Sequence, residues 1–161
     1  MKKLLLLAGG MAGIVWMLRP SKIDSLPYAN LIKQAGSKYG INPKLIASII
    51  KIESNFNPNA IGDAGSSYGL MQVNCTATTR GKISTARVVG HTGSCKRLLE
   101  PSVGIDIGSA YLRKQIDRYS QHPINVPIVA YNTGSAFTSD QRLKTGTNNY
   151  AQRVLDYYNT L

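Results

Sequence analysis

The run Asn42-Pro43-Lys44-Leu45-Ile46-Ala47-Ser48-Ile49-Ile50-Lys51-Ile52-Glu53-Ser54 constrains this chain more than any other stretch. Asn42 is a good N-cap and Pro43 suits the first helical turn, so a helix starts here. At about 100° per residue, Leu45, Ile46, Ile49, Ile50 and Ile52 share one arc, opposite Lys44, Ala47, Ser48 and Lys51. Glu53 falls near the middle of the apolar arc. A carboxylate there loses hydration, which disfavours its charged form and raises its pKa, as a general acid working near neutral pH requires. A helix-end side chain can also bend out to solvent, so helical phase alone leaves both readings open.

Flanking segments surround this helix with others. Tyr28, Leu31, Ile32 and Ala35 have helical spacing between Pro27 and Tyr39, and Gly40 ends that helix. Asn55 to Tyr68 is dense in turn formers and must loop back over the end of the Glu53 helix. Gly69 to Val73 reads as a short helix, and Thr76 to Leu98 as a loop with one helical turn. Pro101 to Tyr119 is a long amphipathic helix with Arg113, Lys114 and Asp117 outside, and its Gly104 and Gly108 would let another helix approach closely. Pro127 to Asn132 gives a helical turn or two, Ser135 to Gly146 is polar and irregular, and Asn149 to Tyr158 closes the chain as a last helix. Strand signals are weak throughout. At 161 residues the expectation is one mainly α domain.

The charge of +11 comes from 19 Lys and Arg against 8 Asp and Glu, and it points to an anionic partner. Nucleic acid, a membrane surface and a carboxylate-rich cell wall all qualify on charge alone. The cations are dispersed, however, without zinc-finger spacing or a basic zipper, which speaks against a nucleic-acid module. Residues 1–19 open with Lys2-Lys3, continue as the apolar run Leu4 to Leu18 and meet Arg19-Pro20, as an export signal or membrane anchor does. The run falls short of the roughly 20 residues that span a bilayer comfortably, yet no small-residue cleavage site ends it. Residues 20–25 then read as a polar linker and 26–161 as the folded domain. Cys75 and Cys95 are the only cysteines, with His91 between them. A disulfide, free thiols and a metal site are the alternatives, and a disulfide suits an exported chain.

Glu53-Ser54, Phe56-Asn57-Pro58, Ala60, Gly69-Leu70-Met71-Gln72, Gly108 with Ala110-Tyr111-Leu112, Ala130-Tyr131-Asn132 with Gly134, and Tyr150 with Arg153-Val154 follow one another in this order. Together they resemble the soluble lytic transglycosylase domain, from about Leu26 to Tyr158. The resemblance implies a compact, goose-lysozyme-like helical fold. It also implies cleavage of the bond between N-acetylmuramic acid and N-acetylglucosamine in peptidoglycan, without water as the attacking group and without a cofactor or metal. Glu53 would be the catalytic acid and then base. Ser54 and Gln72 would contact the sugar, Met71 would line the groove, Tyr131 and Asn132 would bind the N-acetyl group or position Glu53, and Tyr150 would hold the carboxyl.

The chain departs from the family pattern at Gly62 to Tyr68, before Gly-Leu-Met-Gln, and at Asn74 to Thr79, after it. Groove shape is therefore not carried over by the resemblance. Two other readings remain. A water-using muramidase would need a second carboxylate, for which Asp63 is the one candidate on the loop facing Glu53, although Asp63 also suits a turn. A non-catalytic peptidoglycan-binding assembly factor would keep the fold without the chemistry. Envelope-spanning secretion, conjugation or phage-infection machines are the partners that such small exported domains bring to mind, by analogy of fold alone.

Overall fold

The computed structural model describes residues 21–76, 84–134 and 149–161. After a 3-10 turn at Lys22–Ser25 come α1 (Ala29–Tyr39) and α2 (Pro43–Ser54). A small antiparallel sheet follows, with β1 (Ile61–Gly62), β2 (Ser67–Tyr68) and β3 (Val73–Asn74) in that order. Then come α3 (Thr85–Val88), a 3-10 segment at Cys95–Leu99, α4 (Pro101–Arg118), α5 (Asn125–Thr133) and α6 (Asn149–Thr160).

Helix α2 is the centre. The Asn42 side chain accepts from Lys44 N at 3.0 Å, capping a helix that Pro43 opens. Every residue from Leu45 to Ile50 is buried, so Ala47 and Ser48, expected on the polar arc, are inside as well. The reason is packing on more than one side: α2 contacts α1 and lies most extensively against α6. Ser48 is satisfied there by donating to Lys44 O at 2.7 Å. Each fully buried isoleucine contributes about 1.5–3 kcal/mol, and Ile46, Ile49 and Ile50 are all completely covered. Helix α4 packs against α1 and α5, and α5 in turn against α6.

Three sequence expectations need correction. Gly69 to Val73 is a turn leading into β3, because Gly69 and Gln72 take positive φ angles of 74° and 45°, which interrupt a helix. The weak strand signals conceal a real sheet, whose strands of two residues are too short to show alternation. Residues 21–25 do not behave as a linker, since Ile23 is buried in the core and Lys22 Nζ donates to Thr160 O at 2.5 Å. The irregular stretch expected from Ser135 to Gly146 lies outside the described residues, as does the apolar segment 1–19. Among the described residues no helix is long and apolar enough to cross a membrane.

Cys75 and Cys95 form a disulfide, tying the end of the sheet to the start of the 3-10 segment. The thiolates a metal would need are thereby consumed. Gly108 on α4 allows the Met71 turn to seat directly on that helix: a Cβ there would stand 2.6 Å from both Cβ and Sδ of Met71. Ser109 Oγ donates to the same sulfur at 3.7 Å. Alanine would bring roughly 1 kcal/mol of helix propensity to this position. The clash involves Met71 Cβ and not a flexible tip, so overpacking outweighs propensity. Gly108→Ala should lower unfolding stability by about 1–3 kcal/mol in chemical denaturation; an unchanged or higher midpoint would contradict this close seating.

Candidate active site

Helix α2 ends at Ser54, where Asn55 and Phe56 both adopt left-handed conformations with φ of 51° and 62°. The chain therefore turns away at once, leaving the last turn of the helix facing a cleft of about 790 Å³. Glu53 lines this cleft together with Asp63, Ser67 and Gln72 from the sheet region. Tyr131, Asn132 and Gly134 line it from α5, and Tyr111, Lys114, Gln115 and Arg118 from α4.

Tyr150 on α6 donates its hydroxyl to Glu53 Oε1 at 2.5 Å. Burial pushes the Glu53 carboxyl up from 4.5 to about 7, the Tyr150 hydrogen bond opposes that rise, the Asp63 carboxylate adds to it, and Arg153 opposes it. Desolvation wins because the one direct partner is a neutral donor and not a cation. Burial, with Glu53 nearby, also holds the Tyr150 and Tyr131 hydroxyls well above the ordinary tyrosine range, so both stay protonated. The site thus presents a carboxyl that populates both protonation states near neutrality. A group of that kind can give a proton and take one back.

The remaining expected residues divide into cleft walls and struts. Ser54 Oγ lies 2.8 Å from Leu70 O and 3.1 Å from Ile50 O, so its single hydrogen serves the backbone and anchors the Leu70 turn to α2. Met71, expected to line the groove, is wholly buried. Its carbonyl accepts the Tyr131 hydroxyl at 2.8 Å, so its part is to hold Tyr131 in place. Gln72 does border the cleft. Its amide donates to Gly69 O at 2.9 Å and Ala60 O at 3.1 Å. Gly62 leaves room for the amide oxygen, which would stand only 2.3 Å from a Cβ at that position. Tyr131 packs its ring against Tyr111 at 5.5 Å, while Asn132 is exposed on the cleft lip.

Asp63 is more than a turn former. Its backbone takes the left-handed conformation with φ 50°, and Ser67 Oγ, on a buried residue, donates to its Oδ2 at 2.5 Å. The carboxylate is fixed inside the cleft, where sequence reasoning left its direction open. Sequence reasoning missed Tyr111, Gln115 and Arg118 as wall residues, although their spacing with Lys114 at one helical turn marks a single face of α4. Among the described residues, no group of three or more His, Cys, Asp or Glu side chains is placed to hold a metal ion. His91 lies 3.4 Å from Ser94 O, in an exposed turn.

Residues 30–154 match the family model described as the Transglycosylase SLT domain. Among curated relatives, membrane-bound lytic murein transglycosylase C of Photorhabdus laumondii is 34% identical over 148 residues, covering 80% of this chain and 40% of the relative. The protein of that name from Serratia proteamaculans is 35% identical, covering 89% of this chain and 43% of the relative. The chain therefore spans less than half the length of these relatives. Among solved structures, the 70-kDa soluble lytic transglycosylase of Escherichia coli aligns at a TM-score of 0.64 and 25% identity, over 83% of this chain and 24% of that one. An inactive mutant of the lytic transglycosylase Slt from Pseudomonas aeruginosa gives the same TM-score at 22% identity, over 83% of this chain and 24% of that one, a likeness of fold.

Because the folded protein holds Glu53 protonated between 4.5 and about 7 while the unfolded chain does not, stability is greatest below that window and falls as pH rises through it. At about 1.4 kcal/mol per pH unit the loss is on the order of 3 kcal/mol. Glu53→Gln should lack that loss and be the more stable protein at about pH 8. Tyr150→Phe should displace the window to higher pH, since the bond removed was holding the carboxyl down. Denaturation midpoints recorded across pH for the three proteins check both statements, and parallel profiles would refute them.

Proposed function

Given that the chain belongs to the Transglycosylase SLT domain family, we propose that it is a peptidoglycan lytic transglycosylase, cutting the β-1,4 bond between N-acetylmuramic acid and N-acetylglucosamine. The observation that carries this reading is the buried Glu53 carboxyl, raised to about 7 and held by the neutral hydroxyl of Tyr150. Protonated Glu53 gives its proton to the glycosidic oxygen as the bond from that oxygen to muramyl C1 breaks. The glucosamine portion leaves with a free hydroxyl, and positive charge develops at C1. The Glu53 carboxylate then takes the proton of the muramyl C6 hydroxyl, whose oxygen closes on C1 as a 1,6-anhydro ring. Glu53 ends as it began, protonated, and no water is consumed. Tyr150 keeps its own proton throughout and so orients the carboxyl without neutralising it, while the neighbouring Tyr131, protonated and bonded to the Met71 carbonyl, adds no charge. Gln72 and Asn132 on the cleft walls are the sugar-binding candidates.

Asp63 supports one competing reading. A fixed carboxylate across the cleft could activate water or stabilise the charge at C1, as in a muramidase. In that case the products would carry reducing muramyl ends. The anhydro reading is preferred because Asp63 is exposed, whereas Glu53 is half-buried with a neutral donor already in place.

The relatives named membrane-bound support a place at the cell envelope facing the wall, with residues 1–19 as export signal or anchor and the chain from Ser21 onward as the catalytic domain. A machine that must pass the wall, for secretion, conjugation or phage infection, would supply the need for local opening. Digestion of purified peptidoglycan with product ends identified by mass spectrometry tests the central reaction. Anhydro-muramyl ends are expected, with Glu53→Gln slowing turnover at least about 100-fold and Asp63→Asn retaining most of it. Exclusively reducing ends, together with an inactive Asp63→Asn protein, would establish the muramidase instead.

A further inference from the structure

The surface on the far side of α2 from the cleft carries charge that the proposed reaction does not use. Helices α2 and α6 run antiparallel: Tyr150 meets Glu53 at one end, and at the other the Asn42 side chain donates to the Tyr158 hydroxyl at 3.0 Å. Lys51 precedes Glu53 by two residues and Lys44 precedes it by nine, so both stand about half a turn round the helix from the carboxyl. Neither lines the cleft. Their ammonium groups lie over α6 tyrosines instead, Lys44 at 5.9 Å from the Tyr158 ring centroid and Lys51 at 5.8 Å from that of Tyr157. Lys51 also donates to Asn55 Oδ1 at 2.6 Å. Lys22 joins this surface at the end of α6, through Thr160 O. None of the three lysines forms an ion pair among the described residues. The carboxylates of these elements are engaged elsewhere, Glu53 in the cleft, Asp24 with Lys33 at 2.7 Å and Asp156 with Gln152 at 2.8 Å.

Three unpaired lysines among half-buried tyrosines suit a flat anionic surface with an apolar interior. A tyrosine presents an apolar ring with a polar tip, and a lysine carries its charge out on a long stem. The beginning of the fold determines how this surface would meet a bilayer. Ile23 is buried in the core and Lys22 is bonded to the last turn of α6. Only four residues of chain, at most about 14 Å, separate Lys22 from Leu18 at the end of the apolar run. A segment inserted up to Leu18 therefore draws this surface, and no other, on to the headgroups. We propose that the α2–α6 face bearing Lys22, Lys44, Lys51, Tyr157 and Tyr158 lies on the headgroups of an anionic lipid bilayer, with the cleft turned outward to the wall. The inference rests on the reading of residues 1–19 as a membrane anchor and adds to it a docking face and an orientation. Glu53 is presented to the wall with the breadth of α2, about 10 Å, between it and the headgroups.

The test uses the full chain with vesicles of phosphatidylcholine alone and of phosphatidylcholine mixed with phosphatidylglycerol. Trp16, the only tryptophan, is replaced by Phe. Tyr157→Trp then puts a single reporter on the face, and Ile61→Trp puts it on the exposed strand β1, two residues before Asp63. Quenching by a lipid with a nitroxide on its headgroup reads which reporter lies near the bilayer. In the mixed vesicles the Tyr157→Trp protein should be quenched at least about threefold more than the Ile61→Trp protein, and raised salt or Lys22→Gln, Lys44→Gln and Lys51→Gln together should remove most of the difference. Amide hydrogen exchange of the unsubstituted protein asks the same without a reporter: Lys22–Ser25 and the end of α6 should exchange more slowly on mixed than on neutral vesicles. Equal quenching of the two reporters with unchanged exchange would overturn the inference and leave this face to an acidic protein. A difference that survives in the triple variant would also overturn it, and stronger quenching of the Ile61→Trp protein would reverse the orientation. Flotation separates anchor from face. A chain that floats with neither kind of vesicle defeats both, whereas one that floats with the mixed vesicles alone has the docking face without the anchor.

Discussion

The hydrogen bond from Tyr150 to Glu53 joins the last helix to the central one across 97 positions of sequence, and the site depends on it. It fixes a carboxyl at the end of the central helix without bringing a cation to it. Had a lysine or arginine taken that place, the pKa would fall and the carboxyl would be ionised at neutral pH. Arg153 is near enough to exert a weaker pull of that kind, and burial exceeds it. Keeping Glu53 in such surroundings costs stability above its pKa, an amount comparable with the burial of one or two of the α2 isoleucines. A core containing Ile32, Ile46, Ile49 and Ile50, all fully covered, can offset that cost.

The turn from Gly69 to Gln72 serves the site as structure more than as contact. Ser54 holds its beginning to α2, Gly108 lets Met71 seat on α4, and the Met71 carbonyl fixes the Tyr131 hydroxyl. Helices α2, α4 and α5 are thereby registered against one another at the cleft floor. A residue can thus belong to a family motif because it positions a neighbour. Two non-glycine residues that line the cleft, Asp63 and Gln72, take positive φ. Both fit backbone strain held by the surrounding packing where a site requires particular directions.

Much of this was legible in the sequence. The N-cap and proline at Asn42-Pro43, the apolar spacing of α1 and α4, and the glycine after Tyr39 announce their helices because the signals are local and periodic. Glu53 on the apolar arc announces its own desolvation, and Tyr150 entered through resemblance to the family. Other features depend on contacts that no local pattern carries. Ala47 and Ser48 look solvent-facing until α2 is packed on more than one side. Two-residue strands leave no alternation to read, and Gly-Leu-Met-Gln is apolar enough to imitate a helix. The part Ser54 and Met71 play as struts emerges only once their partners are seen, and Asp63 gains a direction only when Ser67 holds it. The α4 face of Tyr111, Lys114, Gln115 and Arg118 was visible as spacing, but nothing in the sequence indicates which face of α4 borders the cleft.

The central claim is that burial, tempered by a neutral hydroxyl, makes one carboxyl available as both acid and base near neutrality. The most direct measurement is the titration of the Glu53 carboxyl by carbon-13 NMR, assigned by comparison with the Glu53→Gln protein. The account predicts a midpoint of about 7. A midpoint near the ordinary value of 4.5 would contradict it.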